Sequence, residues 1–137
     1  MRIIIDANII ISSFIKQGKS AELLINPALE LYAPEFIMEE IIKYKDEILS
    51  KTHRTLESFS LILSEMLSLL KIVKKEDIEK YMAEASTISP DEKDAPYFSL
   101  ALKLNCPILS NDKKLKEQEK VKVYSVDEIL KLLEEKK

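Results

Sequence analysis

Short apolar runs that end in an aspartate constrain the fold of this chain most strongly. Residues 2–5 read Arg-Ile-Ile-Ile and precede Asp6, and residues 107–111 read Pro-Ile-Leu-Ser-Asn and precede Asp112. Continuous runs rich in β-branched residues are typical of strands buried in a parallel sheet. Because ligands bind beyond the carboxyl ends of such strands, the two aspartates predict a site at that edge of the sheet.

Strand-like and helix-like segments alternate along the chain, which predicts an α/β fold with a parallel sheet flanked by helices. The predicted strands are residues 2–5, 29–33, 71–73, 107–110 and 121–124. The predicted helices are residues 20–25, 34–50, 53–70, 75–88, 94–104 and 112–119, with a last helix opened by a capping box at Ser125 and Glu128. No stretch is typical of a linker, so we expect one domain over residues 1–137.

The composition narrows the class of protein. A hydrophobic fraction of 46% in 137 residues excludes a disordered chain. One cysteine and one histidine exclude an intrachain disulfide and argue against a zinc site. No apolar stretch is long enough to span a membrane, so we expect a soluble cytoplasmic protein. Many lysines and glutamates with little glycine resemble the composition reported for hyperthermophiles, which indicates a thermophilic source.

Two neighbouring glutamates lie on the helix that begins after Pro34. At about 100° per residue, Glu40 falls beside the apolar stripe of this helix, which includes Tyr44, whereas Glu39 points away from it. A carboxylate at the edge of a core needs a partner, and a cation would provide one. The alternative is that Glu40 turns out to water or pairs with Lys43.

The start of a later helix offers two more acids. Asp94 shares a helix side with Ala95 and Phe98, but it precedes Ala95-Pro96 and is also well placed as the N-cap. Asp91 either caps the same helix start or supports the site from a second layer. Capping and metal binding are compatible, so Asp94 is a candidate ligand under either alternative.

The two aspartates at strand ends have polar neighbours. An acid that ends an apolar central strand gains nothing structural unless something binds it, and Asn8 is placed to hold Asp6 or the local turn by a hydrogen bond. Asp112 either caps the short helix that follows or joins the site, with Ser110 and Asn111 placed to orient it or a water. Carboxylate oxygens are the natural ligands of Mg²⁺ and Mn²⁺, so the convergence of these acids predicts a site for a hard cation.

Four motifs along the chain carry a family resemblance. They are Ile-Ile-Asp6-Ala-Asn8, Pro34 followed by Glu40-Ile41, Asp91-Glu-Lys-Asp94-Ala-Pro-Tyr-Phe-Ser-Leu-Ala, and Ile108-Leu-Ser-Asn-Asp112-Lys-Lys-Leu. Together they resemble the PIN-domain nucleases, and the resemblance spans essentially the whole chain. It implies a three-layer α/β/α sandwich with a central parallel sheet, PIN-like and Rossmann-like.

The resemblance also implies a site and an activity. Asp6, Glu40, Asp94 and Asp112 match the family's acidic cluster around one or two Mg²⁺ or Mn²⁺ ions, and Ser110 matches its usual Thr or Ser. The implied activity is endonucleolytic cleavage of RNA. Many small members are toxins of toxin–antitoxin pairs, and others process ribosomal RNA or act in RNA quality control, so an antitoxin-like protein is an implied partner.

Other readings of the sequence compete with this one. Receiver domains and haloacid-dehalogenase-like phosphatases also place acids at strand ends, but the latter want a second aspartate where this chain has Asn8. A catalytically inactive PIN-like scaffold that binds RNA or a protein is the alternative outside enzymes. The amphipathic helices at 53–70 and 75–88 would form a homodimer face, receive an antitoxin segment, or pack in the core.

Overall fold

The computed structural model describes residues 1–16 and 18–136, so Gln17 and Lys137 of the predicted 1–137 domain lie outside the described residues. Within that range, five strands form one parallel sheet in the order β3-β2-β1-β4-β5. The strands are β1 (Arg2–Ile5), β2 (Glu30–Pro34), β3 (Leu70–Val73), β4 (Ile108–Leu109) and β5 (Val123–Tyr124). All five predicted strands are therefore present, and β1 lies at the centre.

Helices connect the strands. They are α1 (Ala7–Ile15), α2 (Lys19–Leu24), α3 (Phe36–Lys43), α4 (Lys45–Thr52), α5 (Leu56–Ser68), α6 (Lys75–Ile78), α7 (Met82–Ile88), α8 (Ala95–Leu104) and α9 (Val126–Glu135). Short 3₁₀ turns occupy Glu79–Tyr81, Glu92–Asp94 and Lys113–Lys116. No helix in the described ranges is both long and apolar enough to cross a membrane.

The central strand separates two hydrophobic cores. Side chains alternate across a strand, so Ile3 and Ile5 pack with residues of α1, α3, α5 and α9, while Ile4 packs with residues of α6, α7 and α8. All three isoleucines are fully buried. Helices thus cover both faces of the sheet, which confirms the predicted three-layer α/β/α sandwich.

One observed helix has no counterpart in the prediction, and three predicted helices differ from those observed. Helix α1 has no counterpart in the prediction, because residues 7–15 are mostly apolar and buried or half-buried, and their few polar side chains give only a weak helical period. The predicted helix at 34–50 divides at Tyr44, whose N–H bonds to the carbonyl of Ile41 and whose ring is exposed rather than part of the apolar stripe. The predicted helices at 75–88 and 112–119 contain or become 3₁₀ turns.

The capping box of α9 is formed as predicted. Ser125 Oγ accepts a hydrogen bond from the N–H of Glu128 over 3.2 Å, and Glu128 Oε1 accepts one from the N–H of Ser125 over 2.9 Å. Both bonds satisfy N–H groups that have no partner inside the helix. They fix the start of the helix whose Val126 and Ile129 enter the core.

Ser125→Ala removes the cap acceptor and should lower the free energy of unfolding by about 1 kcal/mol. Urea unfolding followed by circular dichroism measures this loss. Ser60→Ala, on the exposed side of α5, is the matched control and should change the free energy of unfolding by no more than about 0.5 kcal/mol. Equal stability of Ser125→Ala and the wild type would show that α9 does not depend on its cap.

Candidate active site

Four acids predicted from the sequence line one cleft at the carboxyl edge of the sheet. Asp6 follows β1, Glu40 lies on α3, Asp94 immediately precedes α8, and Asp112 follows β4. The cleft has a volume of about 340 Å³. Its lining residues are Asp6, Ala7, Asn8, Ile11, Ile15, Glu40, Tyr44, Glu47, Lys51, Asp94 and Asp112.

Asp6 is the most buried of the four acids, with 6% of its surface exposed. Its position is fixed because its N–H donates to the carbonyl of Leu109 in β4 over 3.1 Å. Ser110 Oγ donates to Asp6 Oδ2 over 2.6 Å. A buried carboxylate costs free energy unless it is hydrogen-bonded, so Ser110 provides part of the compensation that Asp6 needs.

Burial raises the pKa of Asp6 to about 6, with the charges of Glu40 and Asp112 adding to the effect and Ser110 opposing it. Burial also raises the pKa of Asp94 to about 6, and the charges of Asp6, Asp91 and Asp112 raise it further. The acids therefore repel one another across the cleft, which is the electrostatic condition that a cation would relieve.

Ser110 connects three parts of the cleft. Besides its bond to Asp6, its Oγ accepts from Asn8 Nδ2 over 3.1 Å and from the N–H of Asp112 over 3.0 Å. Asn8 thus reaches Asp6 through Ser110 rather than through a side-chain bond of its own. Ser110 orients the main chain at Asp112, in the place that the sequence suggested for it.

Glu40 is half-buried, and Tyr97 holds one of its oxygens. The Tyr97 hydroxyl donates to Glu40 Oε1 over 2.5 Å. Burial raises the pKa of Glu40, and the charges of Asp94 and Asp91 add to this. Burial also raises the pKa of Tyr97 far above its ordinary value, so its hydroxyl stays protonated and can donate. Glu39 is exposed on the opposite side of α3, as expected.

Asp94 and Asp112 occupy cap positions in different ways. Asp94 is the N-cap residue of α8, yet its side chain accepts no cap hydrogen bond within the described residues. Asp112 does cap the 3₁₀ turn that follows it, because its Oδ1 accepts from the N–H of Lys114 over 3.0 Å. Capping uses one oxygen of Asp112 and is compatible with a second role at the cleft.

The structure places the two remaining candidates outside the lining of the cleft. Asp91 Oδ1 accepts from the N–H of Lys93 and caps the 3₁₀ turn that leads to Asp94. Asn111 Oδ1 accepts from the N–H of Val126 over 3.1 Å and so ties this loop to the start of α9. Asp91 still contributes its charge to the site, whereas the contact of Asn111 is with the C-terminal helix.

The donor set fits a hard divalent cation by its chemistry. Five of the eleven lining residues carry carboxylates, and Asn8 Oδ1 is buried with no hydrogen-bond partner among the described residues. Amide and carboxylate oxygens are the ligands that such cations take. In the described part of the chain, however, no three acidic, histidine or cysteine side chains already stand close enough together to enclose an ion. Side-chain rotation would therefore have to accompany binding.

Three polar residues of the cleft lining, and Tyr97 behind it, were not predicted from the sequence as parts of the site. Tyr44, Glu47 and Lys51 lie at the end of α3 and along α4, and Lys51 pairs with Glu47 over 2.9 Å. The helix break at Tyr44 turns these side chains toward the cleft, and no glycine or proline marks that break in the sequence. Tyr97 reads as an ordinary core residue of α8, so only the tertiary structure reveals its contact with Glu40.

The pKa of Asp6 predicts a dependence of stability on pH. Because this pKa is about 6 in the folded chain and 3.8 ordinarily, the folded state binds more protons between these values, and the free energy of unfolding falls as pH rises through them. In EDTA, we expect the free energy of unfolding of Asp6→Asn to rise relative to that of the wild type as the pH increases from about 4 to about 7. The rise should reach up to about 3 kcal/mol.

Urea unfolding at a series of pH values measures this gain. Asp46→Asn, which removes an exposed carboxylate from α4, is the control for the loss of one negative charge. A difference between Asp6→Asn and the wild type that stays constant over the whole pH range would contradict the prediction.

Comparison with solved structures shows the same fold in another protein. The chain is similar to a chain in the crystal structure of VapBC2 from Rickettsia felis bound to a DNA fragment from their promoter, with a TM-score of 0.69 and 19% sequence identity. The match covers 91% of this chain and 98% of that chain. No curated protein matches the sequence.

The family is shown by the sequence itself. The family model of the PIN domain matches residues 4–134, which is nearly the whole chain and includes all four acids of the cleft. This agrees with the motifs at Asp6, Glu40, Asp94 and Asp112. The chain therefore belongs to the PIN domain family.

Proposed function

We propose that this chain is an endoribonuclease that uses Mg²⁺ or Mn²⁺ to hydrolyse RNA phosphodiester bonds. PIN domains are nucleases that generally use divalent metal ions, and the chain belongs to that family over residues 4–134. The observation that carries the proposal is the meeting of Asp6, Glu40, Asp94 and Asp112 in one cleft. These acids come from four separate segments, and their mutual repulsion has no structural use.

The four acids divide by their surroundings into two roles. Asp6, Asp94 and Asp112 would hold the cation, because they follow β1, precede α8 and follow β4 at one edge of the sheet. When bound, the cation would neutralise charge on the phosphate and lower the pKa of a water. Ser110 would keep Asp6 in place, and Asn8 Oδ1 would accept a hydrogen bond from a water or contribute an oxygen ligand.

Glu40 would help to bind the cation or would orient the attacking water and accept its proton. A general base works best when its pKa lies near the working pH, and burial together with Asp94 shifts the pKa of Glu40 upward. The Tyr97 hydroxyl occupies Oε1, so Oε2 is the oxygen assigned to this task. Lys51 is the positively charged residue among the lining residues, and its side chain would contact an RNA phosphate.

The competing functions have less support. A haloacid-dehalogenase-like phosphatase requires an aspartate at the position of Asn8. In this chain, the Asn8 side chain donates a hydrogen bond to Ser110 Oγ. An inactive scaffold that binds RNA or protein is the second candidate, and the observation that favours it is that the acids do not already enclose an ion site in the described chain. Metal-dependent cleavage separates the scaffold from the nuclease.

We expect the wild type with Mn²⁺ or Mg²⁺ to cut a labelled, mixed-sequence, single-stranded RNA, and EDTA to stop it. Asp6→Asn should lower the rate by about 100-fold or more, because it removes a ligand of the cation that stabilises the transition state. Glu39→Gln is the matched control on the exposed side of α3 and should stay within about twofold of the wild type.

Each outcome of this assay leads to a different conclusion about Asp6 or about the nuclease function. Wild-type cleavage that survives in Asp6→Asn would remove Asp6 from the site. A folded wild type that binds Mn²⁺ and yet cuts no RNA, when purified free of other proteins, would favour the scaffold.

The proposal includes a toxin role with an antitoxin-like partner. Many small PIN domains are toxins, and the chain aligns with 98% of a chain from the VapBC2 structure. Expression of the wild type in a bacterial host should arrest growth, Asp6→Asn should not, and co-expression of any small reading frame found directly upstream of the gene should restore growth. Growth unaffected by the wild type would instead favour an RNA-processing role. A homodimer stays a prediction from the sequence.

A further inference from the structure

One hydroxyl group joins three segments of the cleft. Tyr97 lies on α8, three residues after Asp94, and its side chain is fully buried. The hydroxyl donates to Glu40 Oε1 on α3 over 2.5 Å and accepts from the N–H of Ala7 at the start of α1 over 3.3 Å. Ala7 directly follows Asp6. The segments that carry Asp6, Glu40 and Asp94 therefore meet at this one atom.

We propose that Tyr97 is a positioning residue that sets the orientation of the Glu40 carboxylate in the reaction. A glutamate side chain has several rotatable bonds, and a half-buried one can turn between the cleft and solvent. The bond from Tyr97 selects the orientation that faces the cleft and leaves Oε2 for a water or a cation. This inference rests on the proposed function, because it assigns a task to Glu40 in the same site.

The packing around the Tyr97 ring fixes the position of its hydroxyl. The ring packs edge to face on Phe36, with centroids 6.1 Å apart and planes at 70°. Phe36 begins α3, the helix that carries Glu40, so ring and carboxylate are held against the same helix. A tyrosine hydroxyl donates and accepts at once, and both capacities are used here. Phenylalanine would keep the ring packing and lose both bonds, which separates packing from positioning.

The test is a double-mutant cycle on wild type, Tyr97→Phe, Glu40→Ala and the double variant. Steady-state cleavage of labelled RNA with Mn²⁺ gives kcat and KM, and titration calorimetry gives the Kd for Mn²⁺ without turnover. Removing a group that orients a ligand residue typically costs about 10–100-fold in activity or metal affinity. We expect that loss in kcat for Tyr97→Phe, with KM unchanged, and no further loss when Tyr97→Phe is added to Glu40→Ala.

Two controls guard the conclusion. Tyr81→Phe removes a tyrosine hydroxyl from the 3₁₀ turn after α6, away from the cleft, and should behave as the wild type. If Tyr97→Phe does not fold, Glu40→Asp is the substitute, because it keeps the carboxylate but draws it one methylene away from both the hydroxyl and the cleft. Glu40→Asp should then show the same loss in kcat, and wild-type values would overturn the proposal.

The outcomes separate this proposal from the nuclease function. An active wild type together with an equally active Tyr97→Phe overturns the role of Tyr97 alone. An equal loss from Tyr97→Phe in the wild-type and Glu40→Ala backgrounds also overturns it, because the effect would not pass through Glu40. A wild type that cuts no RNA refutes the nuclease function, and the Mn²⁺ affinities then decide on the role of Tyr97. Coupling between the effects of the two substitutions on the Kd for Mn²⁺ supports the positioning role. Absence of that coupling, or of Mn²⁺ binding, refutes it.

Discussion

The burial of β1 on both faces is the constraint from which the candidate site follows. Ile3, Ile4 and Ile5 are fully buried between two helical layers, so the chain leaves the sheet only at Asp6, still inside the protein. A carboxylate placed there needs hydrogen-bond donors. Because β1 pairs with β4, the nearest donor comes from the end of that neighbouring strand, and it is Ser110.

The same constraint gathers the other acids. Helices that start beyond parallel strands return across one edge of the sheet, which brings Glu40 and Asp94 near the end of β1. Burial raises the pKa of Asp6 and Asp94, and the charges of the neighbouring acids raise it further; this is a cost that the fold alone does not require. Neutral hydroxyl donors on Ser110 and Tyr97 reduce the cost without a positive charge. The remaining repulsion is what a divalent cation would offset.

Much of the candidate site could be predicted from the sequence because most of its acids stand at the end of a strand or the start of a helix. Asp6 and Asp112 follow apolar strands, Asp94 precedes an Ala-Pro helix start, and the helical period alone separates Glu40 from Glu39. These signals are local, and they agreed with a family resemblance that the match over residues 4–134 confirms. The strands and the α9 capping box were predictable for the same reason.

The rest depends on tertiary contacts that leave no local pattern. Helix α1 is mostly apolar, so the sequence of residues 7–15 gives only a weak signal that separates a helix from a buried strand. The break at Tyr44 has no glycine or proline, yet it brings Lys51 to the cleft. Tyr97 lies among apolar residues of α8, and its partners Glu40 and Ala7 are 57 and 90 residues away in sequence.

Anomalous diffraction from crystals soaked in MnCl₂ would locate the cation directly. The account predicts a manganese peak in the cleft, at about 2.1–2.2 Å from carboxylate oxygens of Asp6 and at least one of Asp94 and Asp112, a distance close to that of magnesium sites. It also predicts that these side chains rotate toward the ion, while Glu40 keeps its bond to Tyr97. A cleft without manganese at saturating concentration, or manganese held by acids elsewhere, would contradict the account.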